Sequence, residues 1–374
     1  MFSLRNNLVR KIKSYNKLVT PKRTFAKQKK LSTTFLQRPG EGNMKRVSLI
    51  DGEGVGPYLT DSVQEIFEAA HVPVKFENIP IIEAKEMSVN IERQTMDKLV
   101  QNDVILKGPI SNDDVLMWNN HQISKALEIY AYIVHAFTIP GVKTRHDDID
   151  IVLIRENSEG EYASIEHELL PGVIESIKVI THENSKRIAE YAFEYALLSN
   201  RKKITVVHKA NIMKLCDGEF LDAAREVSHR YPTILYEEMI VDATCMNLAT
   251  NPQAFDIMLL PNLYGSIIGS IVAGLVGGAG IAPGANIGRK YAIFEQGARH
   301  SGKDIAKTGQ ANPTAFILSA VMMLRHLGLP FFAEQIQNSI FKTLEERKVR
   351  TPDLGGNHGT ADLTRRVIEN LDID

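Results

Sequence analysis

Short apolar runs alternate with helical stripes over most of the chain. KRVSLI at 45–50 reads as a buried strand; a glycine turn then leads into Val63, Ile66, Phe67 and Ala70, spaced i, i+3, i+4, i+7 on one helical face. The unit recurs. IVLIR at 151–155 precedes a stripe of Ile188, Tyr191, Ala192, Tyr195 and Leu198, followed by ITVVH at 204–208 and FDIMLL at 255–260. Strands separated by helices predict an α/β fold with a substantially parallel sheet. TAFILSAVMMLRHL at 314–327 is apolar nearly all round, which places it in the core. The apolar stretch 257–283 is interrupted by Pro261, Asn262 and glycines before it reaches spanning length, so no transmembrane helix is expected.

Several predicted strands run straight into polar residues: Arg155-Glu156-Asn157, His208-Lys209-Ala210-Asn211 and Pro261-Asn262. In open α/β sheets the ligand crevice lies outside the carboxyl ends of strands, so these three segments nominate a site.

The 374 residues are 44% hydrophobic and 24% charged, the profile of a globular protein with two domains or one large α/β unit. Charge changes the picture at one end. Of 44 Lys and Arg, 11 lie in residues 1–40, which hold no acid; the remainder carries 33 against 45 acidic residues, a net −12. That body offers no electrostatic reason to bind nucleic acid or an anionic membrane. The basic segment, with Phe2, Leu4, Leu8, Val9, Ile12 and Leu18 among its cations, reads as a mitochondrial transit peptide ending before Met44; a solvated basic tail is the alternative. Cys216 and Cys245, without a CxxC, predict two buried thiols in a reducing compartment.

Some motifs mislead. DGEGVGP at 51–57 follows a strand and opens a helix, but GxGxG is not the dinucleotide spacing; it fits a turn approached by a ligand or a purely structural one. GARHSGKD at 297–304 matches GxxxxGK, yet Asp304 stands where a phosphate loop needs Ser or Thr for Mg²⁺. His167-Glu168 and His182-Glu183 lack the second histidine of a zinc protease.

IRENSEGEYASIEHE at 154–168, VVHKANIMK at 206–214 and ANPTA at 311–315 carry more information. In these strings the chain resembles the isocitrate and isopropylmalate dehydrogenase family over residues 44–374, and most closely the mitochondrial NAD-dependent isocitrate dehydrogenase subunits. The resemblance implies an α/β fold that is not a Rossmann dinucleotide domain. Residues 44–129 and 277–374 would form a large discontinuous domain, and 130–276 a smaller central domain with a dimer clasp. It also implies dimers with shared clefts. A catalytic member uses NAD to oxidise isocitrate, and Mg²⁺ or Mn²⁺ then polarises the keto group so that CO₂ leaves and 2-oxoglutarate forms.

Residue by residue, Arg155 matches a substrate-clamp arginine, Tyr162 the tyrosine that protonates the enol, Lys209 the lysine assisting alcohol deprotonation, and Asp242 a metal-ligand aspartate. Asn312 and Asp353 match adenine-contacting positions; an Asn helix start and a turn Asp explain them equally well. The departures are as specific. Ser124 and Val134 stand where two further clamp arginines are expected, and Ser266 and Ser270, in PNLYGSIIGSIVAG, replace two metal aspartates. In this family a cleft takes its lysine and one aspartate from the neighbouring subunit. The local set is depleted here while the lent pair, Lys209 and Asp242, is intact. With VHAFTIPGVKTRHDDIDIVLIRE and FEQGARH, that asymmetry resembles a non-catalytic, beta-type subunit: a matrix protein paired with a catalytic subunit in a larger hetero-oligomer, whose NAD and Mg²⁺ or Mn²⁺ are bound chiefly by the partner. Two alternatives stay open. One is an independently active hydroxy-acid dehydrogenase in which Arg299, His300 or Lys125 replaces the clamp; the other is an allosteric citrate- or nucleotide-binding subunit.

Overall fold

The structure is a computed structural model that describes residues 44–80, 89–110 and 120–372; the basic segment expected to be a transit peptide lies outside them. Its strands are β1 (Lys45–Ile50), β2 (Val74–Asn78), β3 (Val104–Lys107), β4 (Ile129–Phe137), β5 (Asp150–Glu156), β6 (Glu166–Leu170), β7 (Val173–Ser176), β8 (Lys203–His208), β9 (Leu235–Ile240), β10 (Ile257–Leu260), β11 (Pro283–Gly288) and β12 (Ala292–Gln296). The helices are α1 (Gly56–Ala69), α2 (Val89–Leu99), α3 (Asn120–Ala126), α4 (His182–Leu198), α5 (Cys216–Ser228), α6 (Val241–Thr250), α7 (Asn262–Leu275), α8 (Thr314–His326), α9 (Pro330–Glu346) and α10 (Thr360–Glu369).

Ten strands form one sheet in the order β2-β1-β3-β12-β11-β4-β5-β10-β8-β9. Both flanks are parallel, as the strand–helix alternation predicts, but β11 and β4 pair antiparallel with each other and with their outer neighbours. This reversal opposes Tyr132 of β4 to Arg155 of β5 and to Asn286 of β11. The apolar helix α8 is buried from Thr314 to Leu324, which accounts for its lack of a polar face. A separate antiparallel pair, β6 and β7, is exposed along its whole length, Leu169, Leu170 and Ile174 included.

β5, β10 and β8 are mutually parallel, so their carboxyl ends share one edge, as the polar termini predict. Their amino ends are tied together instead. Arg201 pairs with Asp150 at 2.6 Å and Asp256 at 2.8 Å, and His135 adds a 2.7 Å contact to Asp150. The ion pairs that tie these strands together thus lie at the edge opposite the polar termini. Cys216 and Cys245 are unpaired and half-buried, less enclosed than expected.

The DGEGVGP turn is structural. Gly54 has φ +57°, and a Cβ there would stand 2.1 Å from the Ser301 carbonyl oxygen, whose partner is the Val55 N–H at 2.9 Å. The turn thus packs against the 297–304 loop. Turns, not a helix, follow that loop, which removes the phosphate-loop reading. Gly54→Ala should destabilise the fold by more than about 1 kcal/mol, because an L-residue meets both the backbone strain and the clash. Urea unfolding measures it, and an unchanged midpoint would show that the 301–303 loop yields instead.

Candidate functional site

A cavity of 530 Å³ opens beside the centre of the sheet. β4 contributes Tyr132, the end of β5 Arg155 and Asn157, α3 Asn120 and Ser124, α7 Gly265, Ser266, Gly269 and Ser270, and the loop after β12 Gly297 to His300. Glu161 and Tyr162 enter from the short 3-10 turn at Gly160–Ala163. Close approach explains the glycine at 265: a Cβ would lie 2.4 Å from Arg155 Cγ. The buried Glu156 carboxylate shapes the turn beneath, accepting the backbone N–H groups of Ser158 at 2.9 Å and Glu159 at 3.1 Å.

Arg155 is 2% exposed. Its Nη1 donates to the Tyr162 hydroxyl at 3.2 Å and its Nη2 to Asn157 Oδ1 at 2.8 Å, while Nε has no partner and no carboxylate pairs with the group among the described residues. Burial, then the nearby Arg299 charge, holds its pKa below the ordinary guanidinium value. Both guanidiniums lie over the Tyr132 ring, at 4.4 Å for Arg155 and 4.7 Å for Arg299, a cation–π arrangement. Burial pushes the Tyr132 hydroxyl up to about 12 despite those cations, and it donates to the Gly297 carbonyl at 2.7 Å.

Arg299 differs from Arg155 in having a counter-ion. Glu295, one helical-type turn earlier in sequence, accepts from it at 2.9 Å and from the fully buried Lys107 ammonium at 2.5 Å. Lys107 also donates to Asn120 Oδ1 at 2.8 Å, and Arg299 to Asn286 Oδ1 at 2.9 Å. One carboxylate thus balances two cations, Lys107 beneath the cavity and Arg299 in its wall.

Arg155, Tyr162, Ser124, Ser266 and Ser270 therefore meet in one cavity, as the resemblance implies. Val134 does not line it: fully buried, it packs beneath Gly297, whose added Cβ would stand 2.8 Å from Val134 Cγ1. Of the three side chains named as replacements for the clamp, Arg299 and His300 face the cavity, whereas Lys125 is exposed and absent from its lining. Lys209 and Asp242 lie outside the cavity and form an ion pair with each other, their side chains 24% and 61% exposed. Asp242 sits in the first turn of α6 without capping it. Asn312 and Asp353 are joined by a 2.9 Å hydrogen bond, and Asn312 Oδ1 accepts from the Thr314 N–H at 3.0 Å. The bond to Thr314 is a local contact at the helix start, whereas the bond to Asp353 joins segments 41 residues apart.

The donor set of this chain does not fit a metal ion: Ser266 and Ser270 offer hydroxyls where carboxylates would bind, and the described residues contain no His/Cys/Asp/Glu group of metal-holding size. Sequence reasoning reached Asn157 as part of a polar strand end but missed Tyr132, Lys107 and Glu295. The alternation of Tyr130 and Tyr132 in IYAYIVHAF was the available signal; Glu295 and Arg299 in FEQGARH are opposite charges four apart, but they meet at a strand end rather than on a helix.

The sequence profile of the isocitrate/isopropylmalate dehydrogenase family matches residues 46–370. The chain belongs to that family. It is 48% identical over 348 residues to the Arabidopsis thaliana protein named isocitrate dehydrogenase (NAD) regulatory subunit 1, mitochondrial, covering 91% of this chain and 94% of the relative. With the Homo sapiens protein named isocitrate dehydrogenase (NAD) subunit gamma, mitochondrial, identity is 46% over 337 residues, covering 89% and 85%. Isocitrate dehydrogenase from Methylococcus capsulatus matches in structure with TM-score 0.81 and 37% identity, covering 87% of this chain and 99% of that one. The expected family fold, with its large α/β sheet, is thereby established.

The buried charge cluster makes stability depend on pH. Burial raises the Glu295 carboxyl, but Arg299 and Lys107 outweigh it and hold the group near 2 against an ordinary 4.5. A depressed folded value stabilises the protein fully above about pH 4.5, and that contribution is lost as pH falls toward 2. Glu295→Gln, which strands the buried Lys107 ammonium and leaves the partly exposed Arg299 without its counter-ion, should cost about 3–5 kcal/mol at neutral pH and remove this acid-side component. Denaturant unfolding at neutral and acid pH reads both.

Proposed function

We propose that the chain is a non-catalytic, regulatory subunit of a mitochondrial NAD-dependent isocitrate dehydrogenase, paired in the matrix with a catalytic subunit inside a larger hetero-oligomer. The complex oxidatively decarboxylates isocitrate to 2-oxoglutarate; NAD and Mg²⁺ or Mn²⁺ are held chiefly by the partner. The large discontinuous domain, central domain and clasp belong to this reading. The observation that carries it is the composition of the cavity, where serines occupy both metal-aspartate positions while Lys209 and Asp242 remain together outside it. Losing two clamp arginines and two metal carboxylates removes interactions worth about 2–5 kcal/mol each, more than a productive substrate complex can lose. A lysine and an aspartate on an accessible edge are instead available to a neighbouring cleft. There the Lys209 amine would assist alcohol deprotonation and Asp242 would supply one carboxylate.

The beta-type assignment rests on VHAFTIPGVKTRHDDIDIVLIRE and FEQGARH, whereas the relatives reported above carry the names regulatory and gamma. Those names support the broader regulatory class. They also give weight to a second reading, that the cavity senses a tricarboxylate such as citrate. Arg155 favours it, as a buried guanidinium without a carboxylate partner, with Arg299 recruited beside it from the 297–300 loop. An anion would supply the charge that this chain withholds from Arg155.

Isocitrate-dependent NADH formation should appear in the co-expressed complex and not with this chain alone. Lys209→Met should leave the complex assembled and lower its kcat at least about 100-fold, the usual scale of positioned acid–base groups. Full turnover by the assembled variant would remove the lent-lysine reading, and turnover by this chain alone would favour the independent dehydrogenase. For the second reading, calorimetry should detect citrate binding that weakens at least about tenfold in Arg155→Met. Equal binding by the two forms would place the ligand elsewhere.

A further inference from the structure

Lys209 is held by its backbone as well as by its ammonium. Its N–H donates to Asp217 Oδ2 at 2.6 Å, and Asp217, in the first turn of α5, is 1% exposed. The other carboxylate oxygen, Oδ1, accepts from Lys178 Nζ at 2.8 Å. The same ammonium stands 3.1 Å from Glu161 Oε1 and 5.2 Å over the Tyr264 ring. Glu161 lines the cavity beside Tyr162, and Tyr264 immediately precedes the cavity glycine at 265. One enclosed ammonium therefore touches the cavity wall, the start of α7 and the carboxylate that holds Lys209.

A local helix contact is the plain alternative, because Asp in a first turn commonly meets nearby N–H groups. Two observations go beyond it. The N–H that Asp217 accepts belongs to residue 209, in the loop before α5, and the lysine that neutralises Asp217 comes from between β7 and α4. Burial works against the Lys178 charge, but Asp217 and Glu161 outweigh it and keep the group protonated beyond its ordinary range. A flexible four-carbon lysine acts on a substrate in a neighbouring cleft only if its Cα is fixed, since a displacement of about 1 Å at a catalytic group can cost 100-fold in rate.

We propose that Asp217, locked by Lys178, is the positioning residue of Lys209, and that Lys178 ties this position to the Glu161–Tyr162 wall of the chain's own cavity. The inference rests on the reading that Lys209 works in the partner's cleft. Asp217 touches no reacting atom and acts through the Lys209 backbone. Asp217→Asn keeps an acceptor oxygen but loses the charge-assisted contacts, and Lys178→Gln removes the lock while leaving Lys209 and Asp217 in place.

The test uses the assembled complex with its catalytic partner and follows kcat and the isocitrate KM. Asp217→Asn and Lys178→Gln should each lower kcat about tenfold or more with KM little changed, and Lys178→Arg should restore much of the loss. In a Lys209→Met background neither change should slow the residual rate further, because residues that act only through a missing group have no effect of their own. Wild-type kcat in both single variants, or losses that multiply in the Lys209→Met background, would overturn the proposal. If Lys209→Met alone keeps full activity, the lent-lysine reading falls and the positioning role falls with it. That result is distinct from a crippled Lys209→Met beside innocent Asp217 and Lys178 variants. Should Asp217→Asn fail to assemble, Lys178→Gln carries the same comparison.

Discussion

A guanidinium or ammonium leaves water at a cost of several kcal/mol unless an anion comes with it. The middle of this sheet is arranged around that constraint. Lys107, fully buried, and Arg299, partly exposed in the cavity wall, meet it through the buried carboxylate of Glu295. Arg155 meets it only in part, through the neutral oxygens of Asn157 and Tyr162 and the π face of Tyr132. The antiparallel reversal at β11 and β4 makes both solutions possible, since it brings Asn286, Tyr132 and Arg155 into register across three strands. A uniformly parallel sheet would not oppose these residues in the same way.

The two halves of the polar edge consequently differ in their electrostatic state. Inside the cavity, positive charge exceeds what the neighbouring carboxylates offset. Outside it, Lys209 and Asp242 neutralise each other on an accessible surface, and a contact of that kind is weak enough in water to be exchanged for a better one. On the proposed function the two answer different demands: the cavity tunes what this chain binds, the Lys209–Asp242 pair what it offers. Serines at 266 and 270 fit that division. Two aspartates on α7 would neutralise the cavity arginines and leave less attraction for an anionic ligand.

Most of the framework was legible in the sequence because it rests on local periodicity. Val63, Ile66 and Phe67 fall on α1 with Ala70 at its C-cap, the residues of IVLIR, ITVVH and IMLL form the parallel strands β5, β8 and β10, and TAFILSAVMMLRH is the buried helix α8. The polar strand ends also lie on the predicted edge. The central reversal was not legible, because a continuous apolar strand reads the same whichever way its neighbour runs. Of the site, motif matching reached Arg155, Tyr162 and the serines, whose partners lie close in sequence or in a quoted string. It did not reach Lys107, Glu295 and Tyr132, which the fold joins from positions up to 188 residues apart. Asn312 and Asp353 show the converse: two residues that a motif match singles out separately have side chains hydrogen-bonded to each other.

The Lys178 ammonium is where these lines of argument meet. An isolated buried lysine would tend to lose its proton, but two carboxylates from different segments keep this one charged. Glu161 belongs to the turn that presents Tyr162 to the cavity, and Asp217 to the helix that anchors the Lys209 loop. Neither carboxylate can move far without leaving the other as the sole partner of a half-buried cation. The cavity wall and the outward-facing lysine loop are therefore mechanically dependent through one charge, although no covalent segment shorter than the β6–β7 excursion and α4 joins them. On the proposed function, a subunit with serines at 266 and 270 imposes geometry on a neighbour by this means.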